Sequence, residues 1–218
     1  MANSFQQEQE RPEFEMISEL AENIVFRLPG CDDVMVRKTI QEVYREFCRE
    51  TKCLTAERLV DVEPGRAEYP VSSMFGGVVT GIRAVAIGVQ RLKNGVDYST
   101  VGTKPLVVVL APRWVGEELP RVPLAEAHIH AAPRVMRIVQ EEVPALNSEK
   151  TPPGFIEKYG EAICSGVVAR LCAMQRRPWS DPKMAETERV NYENAKSEER
   201  MMRETPPGGR FIDTSQIL

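Results

Sequence analysis

The stretch GEAICSGVVARLCAMQRRPWSDPKMA, Gly160 to Ala185, decides how the chain is built. It carries most of an apolar stripe, Ile156, Tyr159, Ile163, Val167, Leu171 and Met174, whose three- and four-residue spacing places these side chains on one helix face. Gly166 and Ala169 leave room for a neighbouring helix to approach closely. The segment RRPWSDP ends this helix. Asp181 is placed to cap the next one, with Pro182 at its first position, where the missing amide hydrogen costs nothing. Trp179 is expected to wedge into the corner between the two helices, where truncation to alanine would cost about 3–5 kcal/mol in a closed site. The last helix, running to about Glu204, is polar on most sides. Its apolar residues Met184, Val190, Tyr192, Ala195, Met201 and Met202 make no wide stripe. Such a helix is either solvated or shared with another chain. The block therefore points to an assembling protein more than to a self-contained catalyst.

Working outward, the N-terminal half carries a matching pair of helices. Residues 1–15 read as a loose polar arm. Ile17, Leu20, Ile24 and Leu28 then recur at helical spacing until Pro29-Gly30 stops the helix. Asp32 or Asp33 can cap a second helix that runs to about Thr51 and buries Val36, Ile40, Val43 and Phe47. Between the helix pairs the character changes. Leu59 to Val62, the branched run Val78 to Val89 and the apolar run Leu106 to Leu110 read as strands, and Asn94-Gly95 as a tight hairpin. Val122 to Ala131 alternates, with Ala125, Ala127, Ile129 and Ala131 on one side and Glu126, His128 and His130 on the other. Residues 132–149 read as a connector broken by prolines, with one short helix possible over Arg134 to Glu142. The fold class is α+β. A four-helix bundle from residues 16–55 and 150–204 carries an inserted antiparallel β-sandwich or barrel at 56–131, and an extended tail follows at 205–218.

Composition narrows the function. Hydrophobic residues at 42% allow a sizeable core, and a net charge of -4 with no basic stripe argues against general nucleic-acid binding. The apolar runs are too short to span a bilayer, and the N-terminus lacks the pattern of a secretory signal. Five scattered cysteines, with no CxxC pair, read as reduced thiols of a protein made in the cytosol. Arg170, Arg176 and Arg177 gather near a helix C-terminus, where they can complement the helix dipole or meet a phosphate. In the last helix, Arg189 with Glu193 and Glu199 with Arg203 are spaced to pair.

Two stretches, the helix end VYREFCRET and the segment YGEAICSGVVARLCAMQRRPWSDPKMAETERVNYENA, resemble the head-to-tail adaptor (connector) proteins of tailed bacteriophages. The resemblance spans roughly residues 16–204, and these two stretches are its distinctive parts. It implies a structural virion protein at the neck, assembled in the host cytoplasm. A homo-oligomeric ring, usually of twelve copies in that family, docks beneath the portal protein and offers a platform to the tail or nozzle protein. DNA passes through its lumen without specific binding. Neither a cofactor, nor a metal, nor a membrane, nor catalysis is implied. The tail residues Phe211, Ile212, Ile217 and Leu218 are the expected portal-binding group, ordering only on a partner. Arg189, Tyr192, Glu193, Arg200 and Met201 are the expected contacts between subunits.

Other readings remain open at this point. A head-completion or stopper protein would sit at the same neck, although four long helices favour the adaptor. A metal-dependent hydrolase would have to use Glu126, His128 and His130, the one place where two imidazoles and a carboxylate share a strand face. A DNA-binding packaging protein would need a basic stripe that the chain lacks. The sequence shows no nucleophile motif and no glycine loop for phosphate.

Overall fold

Ile17, Leu20, Ile24 and Leu28 are all buried, as are Val36, Ile40, Val43 and Phe47, so both N-terminal helices turn the expected faces inward. The computed structural model describes residues 14–63, 65–88, 90–102, 106–111, 114–115 and 135–204. Among the described residues the fold is α+β, with four α-helices and antiparallel sheets. The helices are α1 (Leu20–Arg27), α2 (Asp33–Thr51), α3 (Phe155–Cys172) and α4 (Pro182–Glu204). The chain divides into two compact units, residues 1–41 with 149–192 and residues 42–148 with 193–218, so α2 and α4 each contribute to both.

In the first unit α1 packs against α3. Gly160 makes this possible: a methyl there would stand 3.2 Å from Leu20 Cδ2 and 3.3 Å from Ile156 Cγ2, inside ordinary contact distance. A short ribbon reinforces the pairing, as β1 (Glu15–Met16) runs antiparallel to β9 (Lys150–Thr151). Glu15 therefore belongs to the fold and not to a loose arm, which corrects the boundary expected at residue 15. Its carboxylate accepts the Gly154 amide at 2.6 Å and the Ile156 amide at 3.1 Å. The chain enters α3 through Gly154 at φ 73, a left-handed position with no side chain to serve as a cap. A carboxylate from far upstream supplies the missing acceptor, and its charge suits the positive helix end.

The second unit holds two sheets. β2 (Thr55–Asp61), β8 (Val135–Val143), β4 (Val78–Ile87) and β5 (Gln90–Leu92) form one, in the order β2-β8-β4-β5. β3 (Glu68–Val71), β7 (Leu106–Leu110) and β6 (Tyr98–Val101) form the other, in the order β3-β7-β6. Both contribute to one hydrophobic cluster that includes Tyr69, Val85, Ile87, Val108, Trp114, Met136 and Ile138. Pro70 lies on the edge strand β3, where a lost ladder donor is tolerated.

Two expectations for this region are corrected. The stretch read as a connector, with a short helix over Arg134 to Glu142, contains β8, which sits between β2 and β4. Asn94-Gly95 does not close a two-strand hairpin, because β5 pairs with β4 and β6 pairs with β7. The turn is instead a corner that moves the chain from one sheet to the other. Buried Asp97 fixes it by accepting the Lys93 amide at 2.8 Å and the Trp114 indole N–H at 3.0 Å. The alternating stretch Val122 to Ala131 lies outside the described residues.

Candidate functional site

The last helix carries most of the residues expected to meet other subunits. Asp181 caps it, Oδ1 accepting the Lys183 amide at 3.0 Å and the Met184 amide at 3.1 Å. Ala185, Glu188, Tyr192, Lys196 and Glu199 then recur every three or four residues and are all buried. α4 thus has a narrow inward stripe of the kind a packed helix needs, but most of its members are charged. The inward stripe has little apolar surface, only Ala185 and Tyr192, in keeping with a helix that reads as polar on most sides. Ion pairs do much of what apolar area does elsewhere.

In the first unit the Arg27 guanidinium, at the end of α1, donates to the Glu188 carboxylate. In the second unit a larger network joins α4 to the end of α2. Lys196 Nζ lies 2.7 Å from Glu193, 2.9 Å from Glu50 and 3.9 Å from Glu46. Its side chain is only 4% exposed. Arg200 holds Glu50 from the other side, Nη2 donating to Oε2 at 2.8 Å and Nε to the backbone carbonyl at 3.2 Å. Arg203 donates to Glu199 at 3.0 Å. Burial pushes the Glu50 carboxyl up, but the Lys196 hydrogen bond and the charges of Lys196, Arg200 and Arg49 outweigh it and hold the group below the usual carboxylate range. Burial likewise pulls the Lys196 ammonium down, and hydrogen bonds to Glu193 and Glu50 more than restore it.

The expected inter-subunit residues therefore separate. Tyr192 is buried in its own chain, so its assignment to a subunit contact is corrected. Glu193 and Arg200 join the intrachain network. Arg189 pairs with Glu186 at 2.7 Å, one turn back along the exposed side. Met201 and its neighbour Met202 stand 61% and 64% exposed at the end of α4.

A second exposed apolar surface lies at the other end of the sequence, in the first unit. Phe26 is 90% exposed on α1 and Val34 74% exposed at the start of α2. Beside them Glu22, Val25, Phe26, Cys31 and Asp33 line an open groove of about 420 Å³. Leaving a phenyl ring almost wholly in water forgoes about 1.5–3 kcal/mol of burial, so Phe26 contributes nothing to this fold that a polar residue would not. Sequence reading passed over Phe26 because it lies outside the Ile17–Leu28 stripe. An aromatic off the buried face was the available signal.

Trp179 is half-buried and not closed in, with the Arg177 guanidinium 5.9 Å from its ring centre. The expectation of a fully wedged ring is corrected: α3 stops at Cys172, and the turn that follows leaves residues 173–178 exposed. The indole Nε1 is buried without a hydrogen-bond partner. Trp179→Ala is accordingly expected to cost about 1–2 kcal/mol, not the 3–5 of a closed site. Trp179→Phe, which loses no hydrogen bond, should stay within about 0.5 kcal/mol of the parent. Urea unfolding of the two variants checks both values.

Glu126, His128 and His130, and the tail residues Phe211, Ile212, Ile217 and Leu218, lie outside the described residues. Among the described residues no three His, Cys, Asp or Glu side chains are grouped to hold a metal ion. None of the described helices is long and apolar enough to cross a membrane. No protein-family model matches the chain, and no curated protein matches it.

Proposed function

We propose that the chain is a structural neck protein of a tailed bacteriophage, an adaptor whose copies close a ring between the capsid portal and the tail. In this reading the four helices form a bundle in the ring wall and the two sheets pack as an inserted sandwich. The tail with Phe211, Ile212, Ile217 and Leu218 reaches the portal, and DNA passes through the lumen without specific binding. The sequence resemblance over residues 16–204, distinctive in two stretches, supports the family reading. The observation that carries the reading is the exposed pair Phe26 and Val34 beside an acid-rimmed groove. Exposed apolar side chains gathered beside a groove, rather than scattered singly, support a surface that meets another chain.

The occupant assigned to the groove is the end of α4 from a neighbouring copy. That end offers exposed Met201 and Met202 next to Arg200. The groove offers Phe26 and Val25 between Glu22 and Asp33. Methionine adapts to an aromatic surface, and the basic end suits the acidic rim. Repetition of a head-to-tail contact of this kind generates a ring where its rotation closes, and an open filament where it does not. Phe26→Asp and Met201→Asp, each made separately, are expected to abolish ring formation on a portal ring, as seen by electron microscopy of the mixture, while leaving each subunit folded by circular dichroism. Rings that form normally with both variants would overturn the assigned contact. The wild-type chain failing to bind any portal would overturn the function.

A further inference from the structure

Two thiols meet at the end of α2. Cys48 lies in its last turn, and the Cys48 carbonyl accepts the Lys52 amide at 2.9 Å. Lys52 then takes a left-handed conformation, φ 54, which turns the chain back over the helix end. Cys53 follows directly, and its amide donates to the Thr51 hydroxyl at 3.3 Å. The outcome is a sulfur–sulfur separation of 3.8 Å between Cys53 and Cys48. Both residues are buried, Cys48 fully and Cys53 at 7% exposure.

We propose that Cys48 and Cys53 are a reactive dithiol that a peroxide closes to an intrachain disulfide. The inference stands apart from the proposed function and uses none of its assumptions. The sulfurs are in contact at 3.8 Å, and a disulfide bond of about 2.05 Å needs them to approach by about 1.8 Å in total, a movement that rotation about the two Cα–Cβ bonds can share. The pair is too sparse for a metal, which wants further ligands, and among the described residues no third ligand joins it.

The two thiols differ in a way that orders the steps. Burial raises the Cys53 thiol, but hydrogen bonding with Cys48 and Thr51 and the charge of Arg203 outweigh burial and the opposing charge of Glu199, so it lies below the ordinary value. Burial, reinforced by Cys53, holds Cys48 well above its own. Cys53 is also the more exposed of the two. Its thiolate attacks one oxygen of hydrogen peroxide, the O–O bond breaks, and hydroxide leaves and takes up the proton that Cys53 released, giving a sulfenic acid and water. The Cys48 sulfur then attacks the sulfenic sulfur and the S–O bond breaks. The departing hydroxide takes the Cys48 proton as a second water. The two thiols lose two electrons in all, and the peroxide gains them.

The test uses the full chain in its native state. It is treated with hydrogen peroxide at neutral pH, quenched, unfolded in urea, alkylated with iodoacetamide and digested with trypsin without reductant. Arg49 and Lys52 are cleavage sites between the two cysteines, so the disulfide joins the peptide of residues 46–49, EFCR, to that of residues 53–58, CLTAER. The expected result is this one cross-linked pair, lost on reduction, with free thiols falling from five to three. Cys31, Cys164 and Cys172 remain alkylated. In Cys48→Ser the sulfenic acid at Cys53 persists and is trapped by dimedone. Cross-links scattered among the five cysteines, or Cys53 still alkylated when other cysteines have reacted, would overturn the proposal. The wild-type peptide map decides the matter even where the variant does not fold.

Discussion

Glu142→Ala is expected to lower the free energy of unfolding by about 3–5 kcal/mol, as measured in denaturant. Glu142 is the eighth residue of β8 and is buried. Its carboxylate accepts the Ser73 hydroxyl, the Met74 amide at 2.9 Å, the Phe75 amide at 3.3 Å and the Gln140 side-chain amide at 2.5 Å. Alanine removes the acceptor that these four donors share, while Gln140 Nε2 keeps its bond to the Ser72 carbonyl at 2.9 Å. An orphaned buried donor costs about 1–3 kcal/mol. The sum overstates the loss, because these donors are neighbours and water can enter the vacated space. The loop of Ser73, Met74 and Phe75 is drawn tightly to the end of β8: a methyl on Gly77 would stand only 2.0 Å from the Val143 carbonyl oxygen. Faster hydrogen exchange at Met74 and Phe75 is the local signature expected with the global loss. Glu142→Gln keeps one acceptor oxygen but turns an NH2 group toward donors, so about half the effect is expected. A loss under about 1 kcal/mol for the alanine variant would mean that the carboxylate does not organise this loop.

The same residue explains why β8 was hidden from sequence reading. Met136, Ile138, Gln140 and Glu142 are its buried positions, a strict two-residue alternation. Polar side chains occupy half of that inward row, so the alternation reads as solvent-facing, and Pro133 and Pro144 on either side suggest a broken connector. α4 misleads in the same way. Glu188, Lys196 and Glu199 face inward but have the composition of a solvated surface. Helical spacing shows the pairs Glu199–Arg203 and Lys196–Glu193, but Arg27, the partner of Glu188, and Glu46 and Glu50, the other partners of Lys196, lie far away in sequence, so no local rule shows that this face is turned inward. Where burial is apolar and the partner is a period, as for Ile17 to Leu28 or Val36 to Phe47, the faces were legible. The Glu15 cap on α3 left no local trace, because Gly154 only shows that a side-chain cap is missing, not who supplies it. Of the candidate surface, Met201 was legible as an apolar residue on a polar helix. Phe26 was visible only as an aromatic off its stripe.

Lys196→Ala is expected to cost about 3 kcal/mol, far more than the 0.2–1 kcal/mol of an exposed pair. The difference comes from where the cation sits. Its side chain is 4% exposed, and removing it leaves Glu50 facing Glu46 across a gap where the countercharge was. Those carboxylates keep 30% and 25% of their exposure, which lets water return and holds the cost to the low end for a broken buried pair. Lys196→Met combined with Glu50→Gln removes both charges while keeping the volume, and should recover more than half the loss. The pH dependence provides an independent check. Glu50 has a lowered folded pKa, so its contribution is present above the unfolded value near 4.3 and fades as pH falls through the folded one. Lys196 has a raised folded pKa, so its contribution is present below about 10.4 and fades as pH rises through the folded value. The parent protein should therefore gain from this network between about pH 5 and 10 and lose it on both flanks, whereas Lys196→Ala should show a shallower fall on each. Amide exchange over residues 193–204 should rise in the variant. Unchanged exchange there, with unfolding free energy within about 0.5 kcal/mol of the parent, would mean that α4 is held by Tyr192 and Ala185 alone and that the charges on its inner face are incidental.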